Sequence, residues 1–139
     1  DVTGTQRIQK YAFASDGNST PVGATTAGPH LSYLGNNAQS LTHGYHVGGY
    51  VPAGRQNVIG KFSFSSDGDA TDVGDLTSSR QDVSNASSSD GYTYAHGGNP
   101  GSSPYQVNVI ERFAHNSDGN AADAGDLALA TSKSAAVQN

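Results

Sequence analysis

The chain has 139 residues, a formal charge of -5 from 7 Lys+Arg against 12 Asp+Glu, and no Cys. That length is one ordinary domain or a piece of one. The scarcity of cations excludes a nucleic-acid or anionic-membrane surface, and the missing thiols exclude disulfides, thiolate zinc sites and cysteine nucleophiles together.

In chain order, the first recognisable element is RIQKYAF (7–13), an aliphatic-aromatic run followed by the turn sequence SDG and a short return through Val22. Next comes THGYHVGGY (42–50), ending in a glycine pair. From 57 the chain reads NVIGKFSFSSDGDATDVGDL: Val58, Gly60, Phe62 and Phe64 alternate with Ile59, Lys61 and Ser63, the period of two expected of a strand. SDG supplies a turn, since Asp and Ser bond to nearby amides and Gly accepts positive φ, and ATDVGDLT is the returning strand. A polar stretch, SSRQDVSNASS, leads to SDGYTYAHGGN (89–99), then NVIERFAHNSDGNAADAGDL (108–127), and TSKSAAVQN closes the sequence. No stretch approaches the ~20 apolar residues of a membrane helix. Position 1 is Asp rather than Met, which suggests a processed or partial chain.

Leu, Ile, Val and Phe make up 23 of the 139 residues, a composition bordering on disorder, so order has to be argued from pattern. Self-similarity provides it. Ile8, Ile59 and Ile110 fall in register at a spacing of 51, as do Tyr11, Phe62 and Phe113, and Asp16, Asp67 and Asp118. GY-to-GG elements lie between them, aligned with a two-residue insertion before the second glycine pair. The expected units are 1–28 (partial), 29–79 and 80–130, with 131–139 opening a further one. Strand-forming residues dominate and no helical stripe persists, which predicts an all-β chain with about four short strands per unit.

The order of Arg80 and a Ser-rich strand, Gly91-Tyr92 ending in Gly97-Gly98, the strand with Val109, Ile110 and Phe113, and a final strand from Asp123 to Leu127 resembles a kelch-type β-propeller repeat. Where kelch repeats carry a Trp, Val73 or Leu76 stands in. The phrases NVI-x-K/R-F and HGY-x-x-GG are also similar to repeat proteins of marine phages. This resemblance implies blades of about four antiparallel strands and a structural protein on a virion or extracellular surface. Some kelch-like propellers are copper oxidases that depend on a cross-linked cysteine, chemistry that a Cys-free chain lacks. Rings need ~4 to 8 blades, so the ring is incomplete in one chain. The expectation is a homo-oligomer closing it between copies, or contact with other virion proteins, with truncation of a longer array as the alternative.

The carboxylates around the SDG turns pose the main chemical question. Asp67, Asp69, Asp72 and Asp75, repeated as Asp118, Asn120, Asp123 and Asp126, are hard oxygen ligands of the kind calcium takes. The spacing is not that of an EF-hand, and the first unit has Pro21 and Ala24 where the later carboxylates stand. Asp72 and Asp75 point to opposite faces unless a bulge at Gly74 intervenes. Turn chemistry is therefore the better reading, and no cofactor is expected. The five histidines form no HExxH-type pair, and no GxSxG nucleophile motif occurs, so no enzyme is expected. The sequons at Asn18 and Asn85 arise easily in such a composition.

Three functional classes follow. The first is a structural or adhesive virion or surface component. The second is a propeller lectin in which Tyr45, His43, Tyr92 and His96 contact a cell-surface glycan by stacking and hydrogen bonding. The third is an enzyme, supported only by the general capacity of propellers to host catalysis.

Overall fold

The computed structural model describes residues 7–26 and 38–135. Within them every regular element is a strand, and the strands form three antiparallel sheets. β1 (Arg7–Lys10) and β2 (Thr20–Ala24) form a two-stranded sheet. β3 (Ala38–Gln39), β4 (His43–Val51), β5 (Gly54–Ser63) and β6 (Thr71–Asp75) form a four-stranded meander. β7 (Ser84–Ser87), β8 (Tyr92–His96), β9 (Val107–Ala114) and β10 (Ala122–Thr131) form a second. Among the described residues no helix is long and apolar enough to cross a membrane and no sheet closes into a ring. His30, the opening of the 29–79 unit and the last four residues lie outside the described residues.

Local chemistry explains where strands turn and bend. After β5, the Ser63 hydroxyl accepts hydrogen bonds from the Ser65 and Ser66 amides, the short-range bonding that makes Ser a turn residue. In β6, partners shift so that Ile59 pairs with Gly74 and Gly60 with Asp72, leaving Val73 unpaired in a bulge. Asp72 Oδ1 accepts the Gly74 amide across that bulge, and Asp123 Oδ1 does the same for Gly125 in β10. Val73 leans on the core and Leu76 is buried within it.

The glycine pairs are backbone contacts. Gly49 N donates to Arg80 O at 2.9 Å and Gly98 N to Thr131 O at 2.8 Å, so the chain leaving β6 and the chain leaving β10 each cross back to their own sheet. A Cβ on Gly48 or Gly97 would stand 2.6 Å from the same carbonyl oxygens, and both residues have φ near +60°, which together leave glycine as the fitting residue.

The core lies between the two four-stranded sheets. Tyr45, Val47, Ile59 and Leu76 meet Val83, Ala95, Phe113 and Ala121, with the Tyr45 and Phe113 rings edge to face at 5.4 Å. Beside it, the Gln39 amide donates to the Ser87 hydroxyl, joining β3 to β7.

Strand pairing corrects the sequence register. Tyr45 lies opposite Lys61 and Tyr94 opposite Arg112, while His43 and Tyr92 face Ser63 and Ala114. Tyr45 therefore corresponds to Tyr94, and His43 to Tyr92. The extra residues sit in connections, one in the β7–β8 turn and two between β8 and β9, and the glycine pairs stay in register with their strands. The polar stretch after Arg80 is shorter as a strand than its composition suggested, reduced to Ser84–Ser87 and an isolated Gln81–Asn99 bridge.

Candidate functional site

The SDG loops are clamps between sheets. Asp67 pairs with Lys10 at 2.7 Å, and Asp118 pairs with Lys61 at 2.6 Å. Asp69 Oδ1 accepts the Ala24 amide at 2.8 Å, as Asn120 Oδ1 accepts the Asp75 amide at 3.0 Å. Ala70 N donates to Ala24 O and Ala121 N to Asp75 O, both at 2.8 Å. Under each clamp a glycine meets a peptide group: a Cβ on Gly23 would lie 1.9 Å from Gly68 O, and one on Gly74 2.2 Å from Gly119 O. Every member of the second set stands 51 residues after its equivalent in the first.

These partners account for most of the carboxylates proposed as calcium ligands. Asp67 and Asp118 face lysines, Asp69 and Asn120 cap amides of the preceding sheet, Asp72 and Asp123 cap their own bulges, and Asp126 is exposed on β10. Asp75 is half-buried and enters the clamp through its backbone amide and carbonyl. The bulge in β6 exists, yet among the described residues no group of three His, Cys, Asp or Glu is placed to hold a metal ion. The melting temperature is accordingly expected to be the same in excess calcium and in excess chelator, as differential scanning calorimetry can check. A calcium-dependent rise would restore the ligand reading.

Beneath the clamps lie buried polar groups that sequence reasoning missed. Arg80 and Glu111, both fully buried, form an ion pair. Arg80 Nη1 also donates to Gly97 O at 3.2 Å, and Glu111 Oε2 accepts the Thr77 amide at 2.7 Å. Burial lowers the Arg80 guanidinium to about 10, so it remains charged at neutral pH. At the preceding junction the Thr26 hydroxyl and amide meet His46 Nε2 at 2.9 and 3.4 Å. Thr26 and Thr77 are 51 residues apart, so one position is met by two different acceptors. Glu111 stands where the earlier sheet has Gly60, and the His46 ring fills the space a Gly60 side chain would need.

Burial lowers the His46 imidazole from 6.5 to about 4. The folded state holds it neutral while the unfolded chain protonates it below about pH 6.5, so the unfolded state binds more protons in that window. Its contribution is fully present above pH 7 and falls by roughly 3 kcal/mol as pH drops from 6.5 to 4. His96 and His115 are lowered by burial too and act in the same sense. Urea midpoints measured across that range should fall with pH, and His46→Gln should flatten much of the slope. An unchanged slope in that variant would refute the assignment.

Two surface grooves are formed wholly by described residues. One, of about 310 Å³, lies between the first two sheets and is lined by Ile8–Tyr11, Val22, Phe62–Phe64 and Asp67. Exposed Tyr11 packs edge-on against Phe13 beside it at 5.3 Å, and half-buried Phe62 against exposed Phe64 at 6.1 Å. The other, of about 630 Å³, runs between the β3–β4 and β7–β8 turns, lined by Gln39–Thr42, Ser87–Ser89, Gly91, His115 and Asn116. His115 anchors it, its Nε2 2.9 Å from Thr93 Oγ1 and its ring stacked on Tyr45 at 5.5 Å. Ser and Thr hydroxyls and one imidazole line it beside the fully exposed Leu41 side chain, a pairing of polar edges and apolar surface that a sugar, with its hydroxyls and C–H faces, can match.

The residues expected to bind ligand are dispersed. Tyr45 is 1% exposed, a core ring beneath His115 with no face left for a sugar. His43 is half-buried with Nδ1 2.8 Å from Thr42 Oγ1. Tyr92 lies under the Arg112 guanidinium at 4.8 Å, and half-buried His96 sits at the opposite end of β8. The hydroxyl groove was not foreseen, because its serines, His115 and Asn116 come from three turns. No protein-family model matches the chain, and a search of curated proteins finds no match.

Proposed function

We propose that the chain is a non-enzymatic structural or adhesive module of β-propeller-type blades, kelch-like in its glycine pairs. Each four-stranded meander is one blade, and β1–β2 is the outer half of a preceding one. Such a module serves on a virion fibre or tail, or on another extracellular surface, and touches a host surface or neighbouring copies. The observation that supports it best is the use of the carboxylates: Asp67, Asp69, Asp118 and Asn120 hold one sheet to the next through contacts that recur 51 residues apart. Polar groups employed this way serve rigidity.

A carbohydrate-binding role is the second reading, favoured by the hydroxyl-lined groove of about 630 Å³ around His115 and Asn116. One experiment addresses both. Fluorescently labelled protein is mixed with intact bacterial cells of differing envelope types, before and after periodate oxidation of surface sugars. Retention that survives oxidation supports adhesion through protein contacts, and retention lost on oxidation supports the glycan reading. No retention on any surface overturns the adhesive role.

A further inference from the structure

Among the described residues, the two clamps use two loops and two acceptor strands, and one further loop and one further strand of the same construction take part in neither. The acceptors are β2 and β6, which receive residues 66–70 and 117–121. β10 has the same construction, with Gly125 at the position of Gly74, φ +128° and nothing within 4 Å of a Cβ built on it. Asp126 beside it is exposed, and Leu127, the equivalent of buried Leu76, is only half-covered. The unused loop is Ser15-Asp16-Gly17-Asn18, exposed throughout, with nothing near a Cβ on Gly17.

Charge matches as well. Lys10 takes Asp67 and Lys61 takes Asp118. The next cation in that series is Arg112, exposed and resting on the Tyr92 ring, and the free carboxylate of the same series is Asp16. We propose that β10 of one copy receives the 15–18 loop of a second copy of this chain. Arg112 pairs with Asp16, Asn18 Oδ1 accepts the Asp126 amide, and the Ser19 amide donates to the Asp126 carbonyl. The contact is head-to-tail, so copies add in a ring if the rotation closes and in a filament if it does not. The inference rests on the blade reading above, but it concerns assembly and is separable from adhesion.

The test is sedimentation velocity on the full chain over a wide concentration range, with far-UV circular dichroism verifying that each variant is folded. Wild type is expected to associate as concentration rises. Asp16→Arg places Arg against Arg112, and Arg112→Glu places Glu against Asp16, so each variant alone should remain a monomer. Mixed in equal amounts, both junctions become attractive, and the weight-average mass should at least double. Gly125→Val, which fills the loop's seat, should stay monomeric alone. A wild type that is monomeric at every concentration overturns the proposal, as do variants that associate like wild type or a mixture that fails to recover. Repeating the cell-retention assay with the monomeric variants separates the two ideas: a monomeric wild type still retained on cells removes the interface and leaves adhesion standing.

Discussion

Replacing Glu111 with Leu, or Arg80 with Met, is expected to lower unfolding free energy by about 3–5 kcal/mol, because either change strands the other charge in a water-free site. Both side chains are completely buried, so no solvent compensates the survivor. The double variant should lose less than the sum of the singles, since an apolar pair of similar volume replaces a buried ion pair at little net cost. It should not return to wild type. The Thr77 amide loses Glu111 Oε2 and the Gly97 carbonyl loses Arg80 Nη1, and peptide groups left unpaired cost about 1–3 kcal/mol each. Urea denaturation of the four proteins gives the coupling directly. Single variants within about 0.5 kcal/mol of wild type, the ordinary tolerance of surface positions, would show that the pair is not closed to water.

The second large effect is expected at Gly74. A Cβ there would lie 2.2 Å from Gly119 O and 2.4 Å from Gly119 C, both main-chain atoms that no rotamer change can move aside. Gly74→Val should therefore push the 117–121 loop off β6 and destabilise by roughly 2–4 kcal/mol, the range of severe overpacking. Hydrogen exchange at the Ala121 and Asp75 amides should accelerate, as these are the bonds that hold the loop. Gly54→Ala is the control: φ is +129° but nothing lies within 4 Å, leaving backbone strain of about 1 kcal/mol alone. Equal losses in the two variants would mean that strain, and not the clamp, explains Gly74.

What the sequence revealed and what it hid divide along the 51-residue spacing. Where equivalent residues do equivalent work, as at Asp67 and Asp118 or the glycine pairs, spacing and residue type pointed to strands, turns and close backbone contacts. The turn reading of SDG was half of the answer. The other half, the clamp, depends on Ala24 and Lys10 in the preceding sheet, and neither periodicity nor turn chemistry names a partner that far away. Arg80 and Glu111 were illegible for the opposite reason: position 29 is Pro and position 60 is Gly, so the pair has no echo in the repeat. Tyr45 was misassigned because aligning one Gly-Tyr with another placed it on Tyr92, whereas cross-strand pairing places it on Tyr94 and buries it. The hydroxyl groove was hidden because a cleft built from three turns leaves no linear motif.

The clamp itself is made largely of peptide groups and glycines, and that has a genetic consequence. A junction that reads main-chain atoms makes few demands on the side chains around it. Tandem duplication of one whole unit would create a new junction with its Gly, Asx and cation already supplied. Chain length could then change in steps of 51 codons without a compensating substitution in the junction.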